Sequence, residues 1–314
     1  MSRAVVVIVG VLVSAAAAVA LSSQVQAPRI VAYVVSDGEL VPIARHDGTA
    51  WQNTWPAPIE HDTPLPVRTV DEIPTAWLGH SPVPLIWTAW SQATAKQQRV
   101  TVTGVDRDGS CFQAITLTTS FKPDPPSEGL AFNRPTTVDA IVDLEQGSPG
   151  PGSYGREMAP HFRTAITKAV LPQPGSEQSS LGARVLALAR VDKFSDATIV
   201  VQTVFRDPRF PVFFIEAQRH YGRIAADTDY DALSYRGWFR RDRSGALIPI
   251  SASVAAFSTA EGRLPRYTPV GILRLGADSI WAMSEWGIES QTIVLFDVSA
   301  RGARTLTSAL VSGC

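Results

Sequence analysis

The chain is predicted to be all-β, built mainly from antiparallel meanders with one short helix around residues 156–170. Two observations predict this class. Short apolar or alternating runs recur along nearly the whole length, and Asp/Gly-bearing turns separate them. A third, the composition, makes a packed core feasible: 45% of residues are hydrophobic and 18% are charged.

The first 27 residues read as an export signal. Arg3 gives a positive start, Ala4 to Leu21 is almost unbroken Ala, Val, Leu and Ile, and Val25-Gln26-Ala27 offers the small-x-small pattern preceding a cleavage point. The expected location is therefore extracytoplasmic, secreted or periplasmic, with no membrane span after signal cleavage. The alternative is an uncleaved, N-terminally membrane-anchored form, because the apolar run is at the short limit for spanning a bilayer.

After the leader, Ile30 to Val35 and Leu40 to Arg45 flank Ser36-Asp37-Gly38-Glu39, a hairpin signal. His46-Asp47-Gly48-Thr49 then leads into a segment with Trp51 and Trp55. A second meander follows, with strands expected over Val83 to Trp90, Arg99 to Val105 and Cys111 to Thr118. These runs define an N-terminal β-module, residues 28–121. Residues 122–155 read as a Pro/Gly-rich connector, since proline removes a ladder donor and glycine raises the entropy of the unfolded chain. One short strand is expected inside it, around Val138 to Leu144.

The C-terminal β-module spans 156–314. Its helix is marked by Met158, Phe162, Ile166 and Val170 at intervals of four, with Pro172 beyond. Strands are expected at Val185 to Val191, Thr198 to Phe205, Val212 to His220, Tyr235 to Arg241 and Leu247 to Phe257. A final meander comprises Thr268 to Leu275, Ile280 to Trp286, Thr292 to Val298 and Thr305 to Val311. Because Thr292-Ile293-Val294-Leu295-Phe296 is apolar on both faces, that strand is expected to be covered on each side. Two β-modules fit this pattern; an irregular propeller or sandwich is the alternative arrangement.

Net charge is −1, which gives no electrostatic basis for nucleic acid as a partner. The chain has two cysteines, Cys111 and Cys314, and in an oxidising compartment an even count predicts a disulfide between them. Zinc-helix, nucleophile-elbow, P-loop and dinucleotide-binding signatures are absent from the sequence.

Candidate site residues come from three places. Glu285-Trp286-Gly287-Ile288-Glu289 puts two carboxylates beside an indole at a strand end, a grouping suited to holding a sugar or, with Glu216, to glycoside hydrolysis. Alternation places Glu216, Gln218 and His220 on one face of their strand. Trp238 sits among arginines in Tyr235 to Arg243, read either as a polyanion-binding face or as an edge strand guarded by arginine. Asp227, Asp229 and Asp231 alternate as calcium ligands do, but Ala232 and Trp238 stand where an EF-hand requires Gly and Glu; no other cofactor is expected. Trp51, Trp55, Trp77, Trp87 and Trp90 are expected in the core rather than on a carbohydrate platform.

The expected function is non-catalytic binding of a ligand or partner, a glycan or an envelope protein, by an exported β-protein. A carbohydrate-active hydrolase using paired glutamates is the alternative.

Overall fold

A computed structural model describes residues 28–109, 111–144, 153–168, 199–220, 230–258, 266–287 and 289–313. The leader and the expected strand Val185 to Val191 lie outside the described residues. In chain order the strands are β1 (Arg29–Val34), β2 (Leu40–His46), β3 (Trp51–Gln52), β4 (Ile59–Glu60), β5 (Ile86–Ser91), β6 (Lys96–Asp108), β7 (Phe112–Thr119), β8 (Gly129–Phe132), β9 (Thr137–Asp139) and β10 (Val142–Asp143). They continue with β11 (Ile199–Arg206), β12 (Val212–His220), β13 (Tyr230–Arg241), β14 (Leu247–Ser258), β15 (Arg266–Leu275), β16 (Asp278–Trp286), β17 (Ser290–Ser299) and β18 (Gly302–Gly313). Two α-helices are described, the single turn α1 (Thr75–Leu78) and α2 (Ser153–Lys168), with one 3-10 turn at Val70–Glu72. The protein is all-β, as its alternation and turn chemistry predict.

Six strands close on themselves in the order β1-β2-β7-β6-β5-β8, with β8 returning to β1 and the Leu40–Leu117 pair joining β2 to β7. A barrel this narrow has room only for its own side chains. Trp87, Leu40 and Ile115 on one face of these strands, and Trp90, Tyr33 and Phe132 on the other, are all essentially inaccessible. Trp55 is buried as well, while Trp51 and Trp77 pack half-buried against the same core. The tryptophan cluster is thus structural.

From β7 the hydrogen-bonded path continues through β18, β17, β16 and β15 to β9. This is the up-and-down meander expected from the last part of the sequence. A separate sheet has the order β10-β11-β12-β13-β14. Side-chain alternation explains how these parts stack. On β16, Ile280 and Ala282 join the barrel-side core, whereas Trp281 and Met283 face the separate sheet. On β12, Val212 and Phe214 meet that inter-sheet core, and Phe213, Ile215 and Ala217 point to the opposite side. There they bury against Met158, Phe162 and Ile166 of α2, the four-residue periodicity seen in the sequence. The layers therefore run barrel, meander sheet, second sheet, helix. β17 contributes Ile293 and Leu295 to one core and Val298 to the other, with Phe296 packed against the latter, so it is covered on both faces as its composition requires.

Three expectations need correction. The stretch read as a connector contains β8, whose four residues are all buried and which completes the barrel between β1 and β5. The Val138 to Leu144 run is two short strands, β9 on the meander sheet and β10 on the second sheet. In addition, β13 is an interior strand between β12 and β14, so its arginines do not guard an edge.

An ion network fastens the two sheets. Arg274 on β15 donates to both carboxylate oxygens of Asp207, at 2.7 and 2.9 Å, and to Asp139 on β9 at 2.7 Å. Arg209 reaches Asp139 at 2.6 Å. Bidentate guanidinium–carboxylate geometry of this kind fixes orientation as well as distance.

Candidate binding cleft

Where the meander sheet and the second sheet diverge, a cleft of about 550 Å³ opens. Its walls come from five separate stretches of chain. The second sheet contributes Gln202, Thr203, Glu216 and Gln218; β15 contributes Arg266, Tyr267, Thr268 and Pro269; Gln92 follows β5; and Ile141 and Asp143 belong to the β9–β10 segment. Two β-bulges shape it. The β11–β12 register shifts between Val201 and Thr203, and the β15–β16 register shifts between Pro269 and Gly271. Bulges bend a strand and re-aim its side chains, and here both sit on the cleft wall.

Glu216 is the buried charge of the site, at 3% exposure. Its carboxylate accepts hydrogen bonds from Gln218 Nε2 at 3.1 Å and Ser234 Oγ at 3.4 Å. Cross-strand pairing flanks it with Thr203 on one side and Arg236 on the other. A buried carboxylate requires such partners, because desolvation otherwise disfavours the charged form. Across the gap, Tyr267 and Glu285 form a facing pair on β15 and β16. The Arg236 guanidinium lies over the Tyr267 ring at 4.9 Å and 3.9 Å from Glu285 Oε1. Burial, with Glu285 beside it, pushes the Tyr267 phenol well above its ordinary value, so it is a neutral donor at physiological pH. Thr203 Oγ1 is buried and has no hydrogen-bond partner among the described residues.

The structure thus brings together two of the sequence candidates, Glu216 and Glu285, around Arg236 and Tyr267. Glu289 is exposed in the turn between β16 and β17, apart from that cluster. Trp286 is 43% exposed and pairs with Arg266, but alternation puts it on the barrel-side face of β16 with Ile280 and Ala282, opposite the face that carries Glu285. His220 is exposed at the end of β12. Trp238 is 4% exposed and packs edge-on against Trp281, with ring centroids 4.7 Å apart, so it is a core residue that no ligand reaches. Asp227 and Asp229 lie outside the described residues, as does the side chain of Asp231. Among the described residues, no group of three or more His, Cys, Asp or Glu side chains is arranged to hold a metal ion.

Sequence reasoning missed Gln202, Thr203, Tyr267, Thr268, Gln92 and Asp143. The one available signal was local: Gln202-Thr203 interrupts the otherwise apolar run Ile199 to Phe205. Among the described residues no helix is long and apolar enough to cross a membrane. Compared with known proteins, the chain matches no family model, no curated protein and no solved structure.

Proposed function

We propose that the protein is an exported, non-catalytic binding protein that takes a hydroxyl-rich ligand, a saccharide of the cell envelope, in the cleft between its two sheets. The observation that carries this reading is the buried, unpartnered Thr203 hydroxyl set among amide and hydroxyl groups: Gln92, Gln202, Gln218 and Thr268. Such groups both donate and accept, which suits sugar hydroxyls. At about 550 Å³ the cleft falls within the ordinary range of small-ligand sites, large enough for a small saccharide.

Export is supported by the leader, and its oxidising destination by the cysteines. Gly313 pairs with Phe112, so Cys111 and Cys314 each directly follow or precede a paired position. No described cysteine is free. A bridge between them would tie the last strand to β7.

Calorimetric titration of the mature chain with soluble cell-wall saccharides tests the binding function. Thr203→Val and Glu216→Gln are expected to weaken binding about tenfold each, since each leaves a ligand group or a cleft group without its partner. A second reading, glycoside hydrolysis, is favoured by the convergence of Glu216 and Glu285 on Arg236 and Tyr267. Release of reducing ends, abolished by Glu285→Gln, would establish it in place of the first.

A further inference from the structure

A second pocket lies at the opposite end of the same two sheets, four residues along β12 and β13 from the saccharide cleft, or about 13 Å at strand rise. Three hairpin turns meet there: Phe210 and Pro211 before β12, Ala277 between β15 and β16, and Ser299 and Ala300 between β17 and β18. Its floor is apolar. Val212 and Val298 are buried members of the inter-sheet core, and Phe210 is 50% exposed at the rim. The pocket has a volume of about 290 Å³.

The charges around it are unequal in availability. Asp207 is saturated by Arg274 and by the backbone N–H groups of Arg209 and Phe210. Arg241 is held by Glu157 at 2.7 Å and by the Gly245 carbonyl at 2.6 Å. Arg240 differs. It is half-buried, it stands opposite Val212 in the β12–β13 register, and it makes no ion pair or hydrogen bond among the described residues. Asp242, which feels the Arg240 charge, commits its carboxylate to Ser244 and Ala246 in its own turn. A guanidinium at the margin of an apolar pocket, with no anion assigned to it, is suited to a carboxylate carried on an apolar body.

We propose that this pocket binds a small amphiphilic carboxylate, its apolar body against Val212, Val298 and Phe210 and its carboxylate on Arg240. At about 290 Å³ the pocket lies at the small end of ligand sites, which suits a ligand no larger than a medium-chain fatty acid. The site is independent of the saccharide cleft.

Titration of the mature chain with sodium octanoate and with the neutral octanamide tests it without any substitution. Octanoate is expected to bind saturably at one site, at least about tenfold more tightly than octanamide. Arg240→Met is expected to abolish that preference and Arg240→Lys to keep part of it, while Thr203→Val in the other cleft leaves octanoate binding unchanged. Equal affinity for the two probes, no saturable binding of octanoate, a preference that survives Arg240→Met, or loss of octanoate binding in Thr203→Val would each overturn the proposal.

Discussion

Replacing Asp207 by alanine should destabilise the fold more than any surface change, because this carboxylate is where the two sheets are joined. It is 2% exposed and accepts four hydrogen bonds: from Arg274 at 2.7 and 2.9 Å, and from the backbone of Arg209 at 2.8 Å and Phe210 at 3.1 Å. Without it, Arg274, whose side chain is 8% exposed, keeps Asp139 and Ser279 but loses its bidentate partner. Leaving a buried guanidinium without its bidentate partner, with Asp139 still beside it, costs about 1.5–3 kcal/mol. The two backbone donors sit in a turn open to solvent, where water replaces the carboxylate, so they add little. The double variant Asp207→Ala/Arg274→Met removes the under-partnered charge and should recover about 1 kcal/mol of that loss, a coupling typical of contacting pairs. Urea denaturation followed by tryptophan fluorescence measures both. A loss below about 1 kcal/mol in Asp207→Ala with unchanged m, or a double variant no more stable than the single one, would refute the reasoning.

Trp281→Ala should cost about 3–5 kcal/mol, since the ring is wholly buried between the sheets, whereas Trp286→Ala, at 43% exposure, should stay within about 0.5 kcal/mol in the same assay. Alkali should unfold the protein. Burial raises the phenols of Tyr33 and Tyr267 and lifts Tyr235 from 10.0 to about 12. The fold favours their neutral forms, so this stabilisation is complete below pH 10, the ordinary tyrosine value, and is lost as pH rises through the folded values. Absorbance of tyrosinate should therefore show part of the six tyrosines ionising only together with loss of structure; six titrating normally with the fold intact would contradict this. Reduction of a bridge between Cys111 and Cys314 opens a loop of about 200 residues and should lower stability by up to about 5 kcal/mol. Equal melting temperatures with and without reductant would show that no such bridge contributes.

The fold was legible wherever local pattern and tertiary context agree. β12 was expected at Val212 to His220 and spans those residues, because one of its faces meets α2 and the other the meander sheet, giving the apolar run Val212 to Ile215. β8 was not legible. Gly129-Leu130-Ala131-Phe132 is four residues beside a proline cluster, and its value lies in closing a barrel between strands remote in sequence. Gly129 itself is required by the close approach of β5: a Cβ there would stand 1.9 Å from the Trp90 carbonyl oxygen. The cleft was half legible. Alternation placed Glu216 and Gln218 on one face, and both line it. Tyr267 and Gln92 come from strands that meet only through the stacking of sheets, which no local periodicity encodes. Trp238 shows the converse: its arginine neighbours resemble a binding face, yet the strand is interior and the ring is core.

The most direct measurement is a map of amide chemical-shift changes on the mature chain as envelope saccharides are titrated in. Saturable changes centred on Gln202, Thr203, Gln218 and Thr268, and lost in Thr203→Val, are predicted. Saturable binding that maps elsewhere, or no saccharide bound at millimolar concentration, would contradict the cleft as the functional site.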